Sequence, residues 1–449
     1  MKKVLLAVYV LLAAAVSPIH AAENEKVPAK LYFDNGKLTF ESENRAFKLW
    51  LDNRIYIDAA VYSPTTDISG LSSKPNKDLE YDDGKFRFNN GIMIRRARFA
   101  LKGTLYEKWM AELDLDFAYN EVEIKDMYIG YEFNDHVSVK VGNFKEPMSM
   151  ERITSSKYLS GMERPMAVEM FAAGRRLGIA ATVWNRHWWV SGGFFGSEVS
   201  ILQKEKNRGH DGYGFTARAA VSPILRDDMT LHIGAYGTYR TPEALGLENR
   251  LVEFRTFPES RVDRRRFVRT EIPNVNHYTT TGIELAYKYR KLLTYGEYIF
   301  TDLSRYRLDG DKKVDLKNAT FDGWYATVSY MILGGQREYA PDDAEFGPMS
   351  YVREKGGNLE LAARVSNVNL NDFHDASSVI TGGEATSYSA SLNWYPNRNI
   401  LIGLNYTFMD NDKYADDKGH ITMDGKSLKE ALPKGVDFNI FQMRFLVSF

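Results

Sequence analysis

Phe441-Gln442-Met443-Arg444-Phe445-Leu446-Val447-Ser448-Phe449 carries a large apolar residue at every odd position, with Gln442, Arg444 and Ser448 among the even ones. Period-two alternation marks a strand with one apolar and one polar face. A soluble protein seldom ends on such a strand, because a terminus frays unless it is docked. A transmembrane β-barrel needs one, since its last strand closes the sheet and faces lipid. The stretch therefore predicts an all-β protein, a transmembrane antiparallel β-barrel. Phe441, Met443, Phe445, Val447 and Phe449 form the outer face of its last strand, which pairs with a strand begun near residue 48. Removal of Phe449, read as the assembly signal, is expected to impair assembly and leave selectivity alone.

The other end agrees. Lys2 and Lys3 precede an apolar stretch from Val4 to Val16, then Ser17-Pro18-Ile19-His20-Ala21-Ala22. A basic start, a short apolar core and small residues after it read as a signal peptide over 1–21. Its core is shorter than the ~20 residues a spanning helix needs. The chain has no Cys, which removes lipid anchoring, disulfides, Cys-zinc sites and thiol catalysis together. No later apolar run is long enough for a membrane helix, at 44% hydrophobic residues overall. A barrel tolerates that composition, because half of each strand faces a wet lumen. The 27 Tyr, 25 Phe and 7 Trp suit strands and interfacial girdles. Without Lys2 and Lys3, 56 of the 58 basic residues remain against 59 acidic ones. That balance says little, since selectivity depends on which charges face the lumen.

Alternating segments recur. Leu49, Leu51, Ile55 and Ile57 share one face of 49–58, and Asp52, Arg54 and Asp58 the other. Further strands are predicted near 91–105, 109–118, 122–133, 136–144, 175–184, 187–196, 211–222, 229–240, 278–289, 291–301, 321–332, 358–370, 385–395, 399–410 and 437–449. Sixteen is even, as a barrel with both termini on the periplasmic side requires. Tight turns such as 106–108, 134–135 and 396–398 alternate with long loops such as 62–88, 145–174, 241–277 and 411–436. The exception is 333–357, a long connection on the short-turn side; it is a periplasmic flap, or the count slips there by one hairpin. Residues 22–45, with Asn35-Gly36 between apolar ends, read as a short periplasmic hairpin before a barrel spanning 46–449.

The segment 145–174 holds too many apolar residues (Met148, Met150, Ile153, Tyr158, Leu159, Met162) for a loop lying in water. Folded into the lumen, it would bury them on the inner wall while its polar groups narrow the pore. Lys145, Arg152, Lys157, Arg164, Arg175 and Arg176 give 145–176 six basic residues against four acids. Asn143-Phe144-Lys145-Glu146-Pro147, Ser155-Ser156-Lys157-Tyr158, Met162-Glu163-Arg164 and Gly174-Arg175-Arg176-Leu177-Gly178 resemble the phosphate-selective porins O and P. So do Arg95-Arg96-Ala97-Arg98-Phe99 with Gly103, Asp116-Phe117-Ala118, Asn393-Trp394-Tyr395-Pro396-Asn397 and Asn405-Tyr406.

That resemblance implies a homotrimer of sixteen-stranded barrels in the outer membrane of a Gram-negative bacterium, each with an inward constriction loop and a ladder of Arg and Lys guiding anions. Its partners would be inorganic anions of the phosphate type, outer-membrane lipid and lipopolysaccharide, and the barrel assembly machinery, with no nucleic acid. Lys145, Arg152, Lys157, Arg164, Arg175 and Arg176 are the constriction candidates. Arg96 and Arg98 belong either to the pathway or to a wall ladder with Glu112, Asp114 and Asp116. Arg261, Arg264, Arg265, Arg266 and Arg269 form a basic outer-mouth loop that would focus anions or touch lipopolysaccharide phosphates.

Catalysis is not expected: the eight His sit beside no convincing Ser or carboxylate constellation. No cofactor or metal is expected either, since Asp410-Asn411-Asp412 and Asp309-Gly310-Asp311 lack the rest of a calcium loop. Two alternatives stand beside the anion channel. One is a general or sugar-permeable porin guided by aromatics such as Trp188 and Trp189; the other is a structural or adhesive barrel.

Overall fold

A computed structural model describes residues 27–65, 81–82, 85–86, 88–199, 212–243, 251–310, 312–347, 349–351, 356–375, 378–416, 420–421 and 435–449. The expected leader at 1–21 lies outside these residues, as do parts of the long loops at 62–88 and 411–436. An amino-terminal hairpin comprises β1 (Ala29–Asp34) and β2 (Lys37–Ser42), followed by β3 (Phe47–Leu51). Sixteen barrel strands follow. They are β4 (Arg54–Pro64), β5 (Gly91–Leu105), β6 (Trp109–Asp116), β7 (Glu123–Asn134), β8 (Val137–Lys145), β9 (Arg175–Trp184), β10 (Trp188–Phe195) and β11 (Gly214–Leu225). The second half is β12 (Met229–Arg240), β13 (Val275–Tyr289), β14 (Leu292–Asp309), β15 (Ala319–Leu333), β16 (Asn358–Asp372), β17 (Ile380–Asn397), β18 (Ile400–Asn411) and β19 (Phe438–Ser448).

Each barrel strand pairs antiparallel with the next, and β19 returns to β4 with Ser448 opposite Arg54 and Phe438 opposite Pro64. Closure leaves no barrel edge unpaired. The closing strand shows the predicted alternation: Phe441 is 56% exposed while Arg444 is 3% exposed. Its partner begins later than expected. The chain kinks at Asp52-Asn53, so β3 pairs with β2 on one edge and β5 on the other, and Asn53 exchanges both backbone hydrogen bonds with Phe449 (2.7 and 3.1 Å).

The count of sixteen holds through 333–357, because Leu333 and Leu359 are direct neighbours of β15 and β16. The long connection is therefore a true turn at the end that carries Asn53 and Phe449, and its chain folds up into the lumen. Two bridges, Arg337 to Met349 and Ala340 to Glu345, give it a hairpin form. Arg337 is buried against Glu360 on β16 (2.8 Å), while Trp189 and Arg218 donate to the carbonyls of Asp342 (2.7 Å) and Ala344 (2.6 Å). Wall donors hold it by its backbone, and Phe346 and Met349 add buried apolar contacts.

The segment after β8 folds inward as expected. It carries α1 (Met150–Ile153) and α2 (Met166–Phe171). Met148, Met150, Met166 and Phe171 pack with Leu303, Phe321, Val368 and Leu370 of β14–β16 in one buried cluster. Each such side chain contributes ~1.5–3 kcal/mol on burial. A third segment also dips in: Val252, Phe254, Phe267 and Ile272 join the same cluster. The lumen is thus filled against the β13–β17 wall, and open space remains along β5–β9.

Candidate functional site

Two aqueous chambers follow that open wall. The outer one, about 1110 Å³, reaches the ends of β5, β6 and β9 that face away from the termini. The inner one, about 450 Å³, runs toward the end with the termini and is lined partly by Asp342, Asp343 and Glu345 of the inward turn. Four residues line both chambers, Arg96, Arg98, Arg164 and Arg175. They mark the neck, and all four are arginines.

The wall supplies three of them through strand geometry. Arg98 and Arg175 point inward by ordinary alternation. Arg96, two residues from Arg98, does so too, and beside it β5 carries a bulge: Tyr56 pairs with Arg96 but Ile57 pairs with Ile94, leaving Arg95 as the extra residue. Arg95 and Arg96 consequently both reach the lumen side, where strict alternation would have sent one of them into lipid. Arg95 was not singled out from sequence; the adjacent Arg-Arg pair inside a strand was the available signal.

The partners of these cations differ. Arg98 donates to Asp116 (3.0 Å) and Asp114 (3.3 Å), as a wall ladder requires, and Arg175 forks onto Asp126 (2.9 and 2.6 Å). Arg164 instead donates to carbonyls at the end of α1, Glu151 (2.9 Å) and Thr154 (2.7 Å). Lys145, opposite Arg175 in the β8–β9 register, donates to the carbonyls of Ile153 (2.5 Å) and Thr154 (3.3 Å). Arg96 stands 5.7 Å from the Tyr56 ring and its buried Nε has no hydrogen-bond partner. Among the described residues, Arg96, Arg164 and Lys145 make no ion pair. Burying a cation without a carboxylate costs free energy unless water or a mobile anion satisfies it.

The remaining candidates are placed around this neck. Arg152 ties α1 to α2 through the Val168 carbonyl (2.6 Å) and Glu169 (3.3 Å), and Arg176 pairs with Glu146 (2.9 Å). Lys157 bonds Asp52 (2.7 Å) away from the neck, toward the end with the termini. Burial pushes its ammonium down to about 8; Arg54 and Lys37 add to this while Asp52 opposes it. Arg261 lines the outer chamber and pairs with Glu169 and Glu163. Arg265 and Arg269 are bound to Asp263 and Glu253, while Arg264 and Arg266 lie over the rings of Tyr119 and Phe257. This stretch sits deeper than a mouth loop, with Glu259 taking Arg364 (2.5 Å) and Ser389 (3.0 Å) from the far wall.

What seats the constriction loop was not visible in its own sequence. Ser149, at φ 62°, caps α1 by accepting from the Arg152 amide and donates to Glu297 (2.9 Å). Glu297 also accepts from the Glu151 amide (3.0 Å), and Glu284 from the Met150 amide (2.8 Å). Two wall carboxylates thus receive the positive end of the loop. Farther along, Glu163 accepts from Arg95 (2.6 and 2.8 Å) and Arg444 (3.0 Å), and Arg444 also binds Asp58 (2.7 Å). Glu112, Asp114 and Asp126 bring carboxylate oxygens within 4.8 Å of one another, but Lys102, Arg98 and Arg175 already engage them.

Comparisons with known proteins agree with this architecture. A sequence model of the family described as phosphate-selective porin O and P matches residues 76–449. Porin O of Pseudomonas aeruginosa is 23% identical over 383 residues, covering 79% of this chain and 86% of that one. An uncharacterized protein of Caulobacter vibrioides is 25% identical over 329 residues, 71% of this chain, which spans 63% of that longer relative. Among solved structures, an anion-selective porin from Comamonas acidovorans superposes with a TM-score of 0.51 at 12% identity, covering 90% of this chain and all of that one. At that identity the likeness concerns the fold.

Proposed function

The chain belongs to the phosphate-selective porin O and P family, and from that premise we propose that this outer-membrane porin is a passive, anion-selective diffusion channel for phosphate-type anions. One observation carries the reading: the neck is lined by four arginines, two of which, Arg96 and Arg164, have no carboxylate partner among the described residues. Phosphate sheds water only where several donors replace it, and guanidinium contacts are charge-assisted. Passage also requires that no single site hold the anion too firmly. Paired Arg98 and Arg175 beside unpaired Arg96 and Arg164 offer such graded steps. Arg95, Arg152, Arg176 and Arg261 are paired with carboxylates, so within the outer chamber the positive charge is concentrated at the neck.

The sugar-permeable alternative receives less support from the aromatics. Trp188 lies on the outer face, and the ring of Trp189 is covered by the Arg218 guanidinium at 4.9 Å. Homotrimer formation and contact with lipopolysaccharide follow from the family reading. Purified protein in planar bilayers should give an anion-over-cation reversal potential, with chloride current blocked by phosphate. A cation-selective trace sinks the proposal, and a barrel with no conductance points to a structural or adhesive role.

Phe449 supplies two backbone hydrogen bonds to the closing seam and no group to the neck. Its deletion is expected to lower the yield of heat-modifiable, folded barrel in the membrane, while channels that do insert keep wild-type reversal potentials. Altered selectivity in those channels would contradict this division of roles.

A further inference from the structure

The inward turn between β15 and β16 places a second, opposite charge in the path. Away from the four neck arginines, the inner chamber is lined by seven carboxylates against Arg54, Lys102, Lys140 and Lys145. Burial pushes the Glu345 carboxyl up to about 8, with Asp343 adding to the shift, so at neutral pH six carboxylates face four cations. Asp114 and Asp126 pair with Arg98 and Arg175 of the neck, Glu112 with Lys102, and Arg54 with Asp52, which leaves Glu132, Asp342 and Asp343 against Lys140 and Lys145. Asp342 and Asp343 make no ion pair among the described residues, and both are exposed to the chamber. They are held there by their own backbone: Trp189 Nε1 donates to the Asp342 carbonyl at 2.7 Å, and Arg218 to the carbonyls of Asp343 at 3.2 Å and Ala344 at 2.6 Å. A positive neck and a negative vestibule therefore lie in series along one path.

We propose that this pairing makes the channel a rectifier, passing anions inward more readily than outward, with the Asp342-Asp343 turn as the element that sets the direction. The inference rests on the anion reading of the neck. Mobile anions gather at the neck and mobile cations in the vestibule. A field that drives anions inward from the neck, and cations outward from the vestibule, fills the junction with both carriers. The reverse field empties it. The effect needs the fixed charges to be felt across the chamber. A chamber of about 450 Å³ is smaller across than the ~10 Å screening length at 0.1 M salt and wider than ~3 Å at 1 M. Rectification should therefore fade as salt rises.

The test is the current–voltage curve of single channels in symmetric 0.1 M and 1 M KCl. Because the chain lacks Cys, a Lys312→Cys variant labelled from one side by an impermeant thiol reagent fixes the orientation of each channel. Lys312 lies in the exposed tip of the hairpin beyond β14. At 0.1 M the current with the Lys312 side negative should exceed the opposite current about twofold, and the two should be nearly equal at 1 M. Asp342→Asn with Asp343→Asn keeps the backbone anchors and should make the 0.1 M curve linear while the reversal potential stays anionic. Asp342→Lys with Asp343→Lys should also abolish the asymmetry and raise conductance. A linear wild-type curve at 0.1 M, or asymmetry that survives both variants, overturns the proposal. A cationic reversal potential would instead overturn the reading of the neck.

Discussion

Arg96→Gln should lower the chloride-over-potassium permeability ratio about tenfold, and adding Arg164→Gln should remove most of the remaining preference. The magnitude follows from Coulomb's law. A unit charge ~4 Å from a permeating ion changes its energy by ~1 kcal/mol in bulk water and ~4 kcal/mol at the effective dielectric near a protein surface. Since ~1.4 kcal/mol is a factor of ten, one unpaired charge at the neck accounts for about that ratio. Arg96 is the clean probe because its buried Nε has no partner and, among the described residues, its side chain makes no hydrogen bond that its loss would break. Arg164 also caps the end of α1, so Arg164→Lys should retain selectivity where Arg164→Gln does not. A control removes charge in balanced fashion: Arg175→Gln with Asp126→Asn deletes a bonded pair and should leave the ratio near wild type. Reversal potentials unchanged in Arg96→Gln and in the double variant would mean that ions do not pass between these arginines.

Glu163→Ala should release the constriction loop while the barrel persists. Glu163 is 8% exposed and lies between Arg95 and Arg444, with Arg261 3.7 Å away. Removing one partner from a buried ion-paired cluster costs ~3–5 kcal/mol, because the remaining charges stay buried without compensation. The cost falls on docking of the loop, since β5 and β19 keep their ladders. The expected result is a larger, noisier conductance and new trypsin cleavage at Arg152 or Lys157 in barrels that still resist denaturation by detergent. Glu163→Gln, which keeps one acceptor oxygen, should show a smaller change. If Glu163→Ala channels keep wild-type conductance and remain uncut, the loop is held by its apolar contacts alone.

The parts of this protein that were legible in sequence share one physical origin. A barrel wall separates lipid from a wet lumen at every residue, so alternation is imposed locally and shows up in segments such as Phe441–Phe449. The same logic exposed the loop after β8, because Met148, Met150 and Met162 could not stay in water. Its basic residues stand out as a group, and the structure brings Arg164 and Arg175 to the neck and Lys145 to the inner chamber beside it. Lys157 is placed elsewhere, since a loop that turns twice sends neighbours in sequence to different ends of the lumen. The turn between β15 and β16 gave no such sign. It is held largely by wall donors to its carbonyls, which leave side-chain patterning untouched, and its buried apolar residues, Phe346 and Met349, are few and widely spaced. The bulge at Arg95 was hidden for a related reason: one extra residue breaks alternation without changing composition.

By itself, then, the amino-acid order determined a closed sixteen-stranded barrel, the loop that enters it and the surplus of basic residues along that loop. Tertiary structure alone decided which cations are free and which are neutralised. Arg98 meets carboxylates on the adjacent β6 and Arg175 one on β7, two strands away, whereas Arg96 and Arg164 meet none among the described residues. It also decided that Asp342 and Asp343 lie below the neck, some 180 residues away in sequence from Arg164. Charge counts along a chain add up whatever the fold, but the potential in a pore depends on distance and pairing, and those are set only when the strands and their inward loops come together.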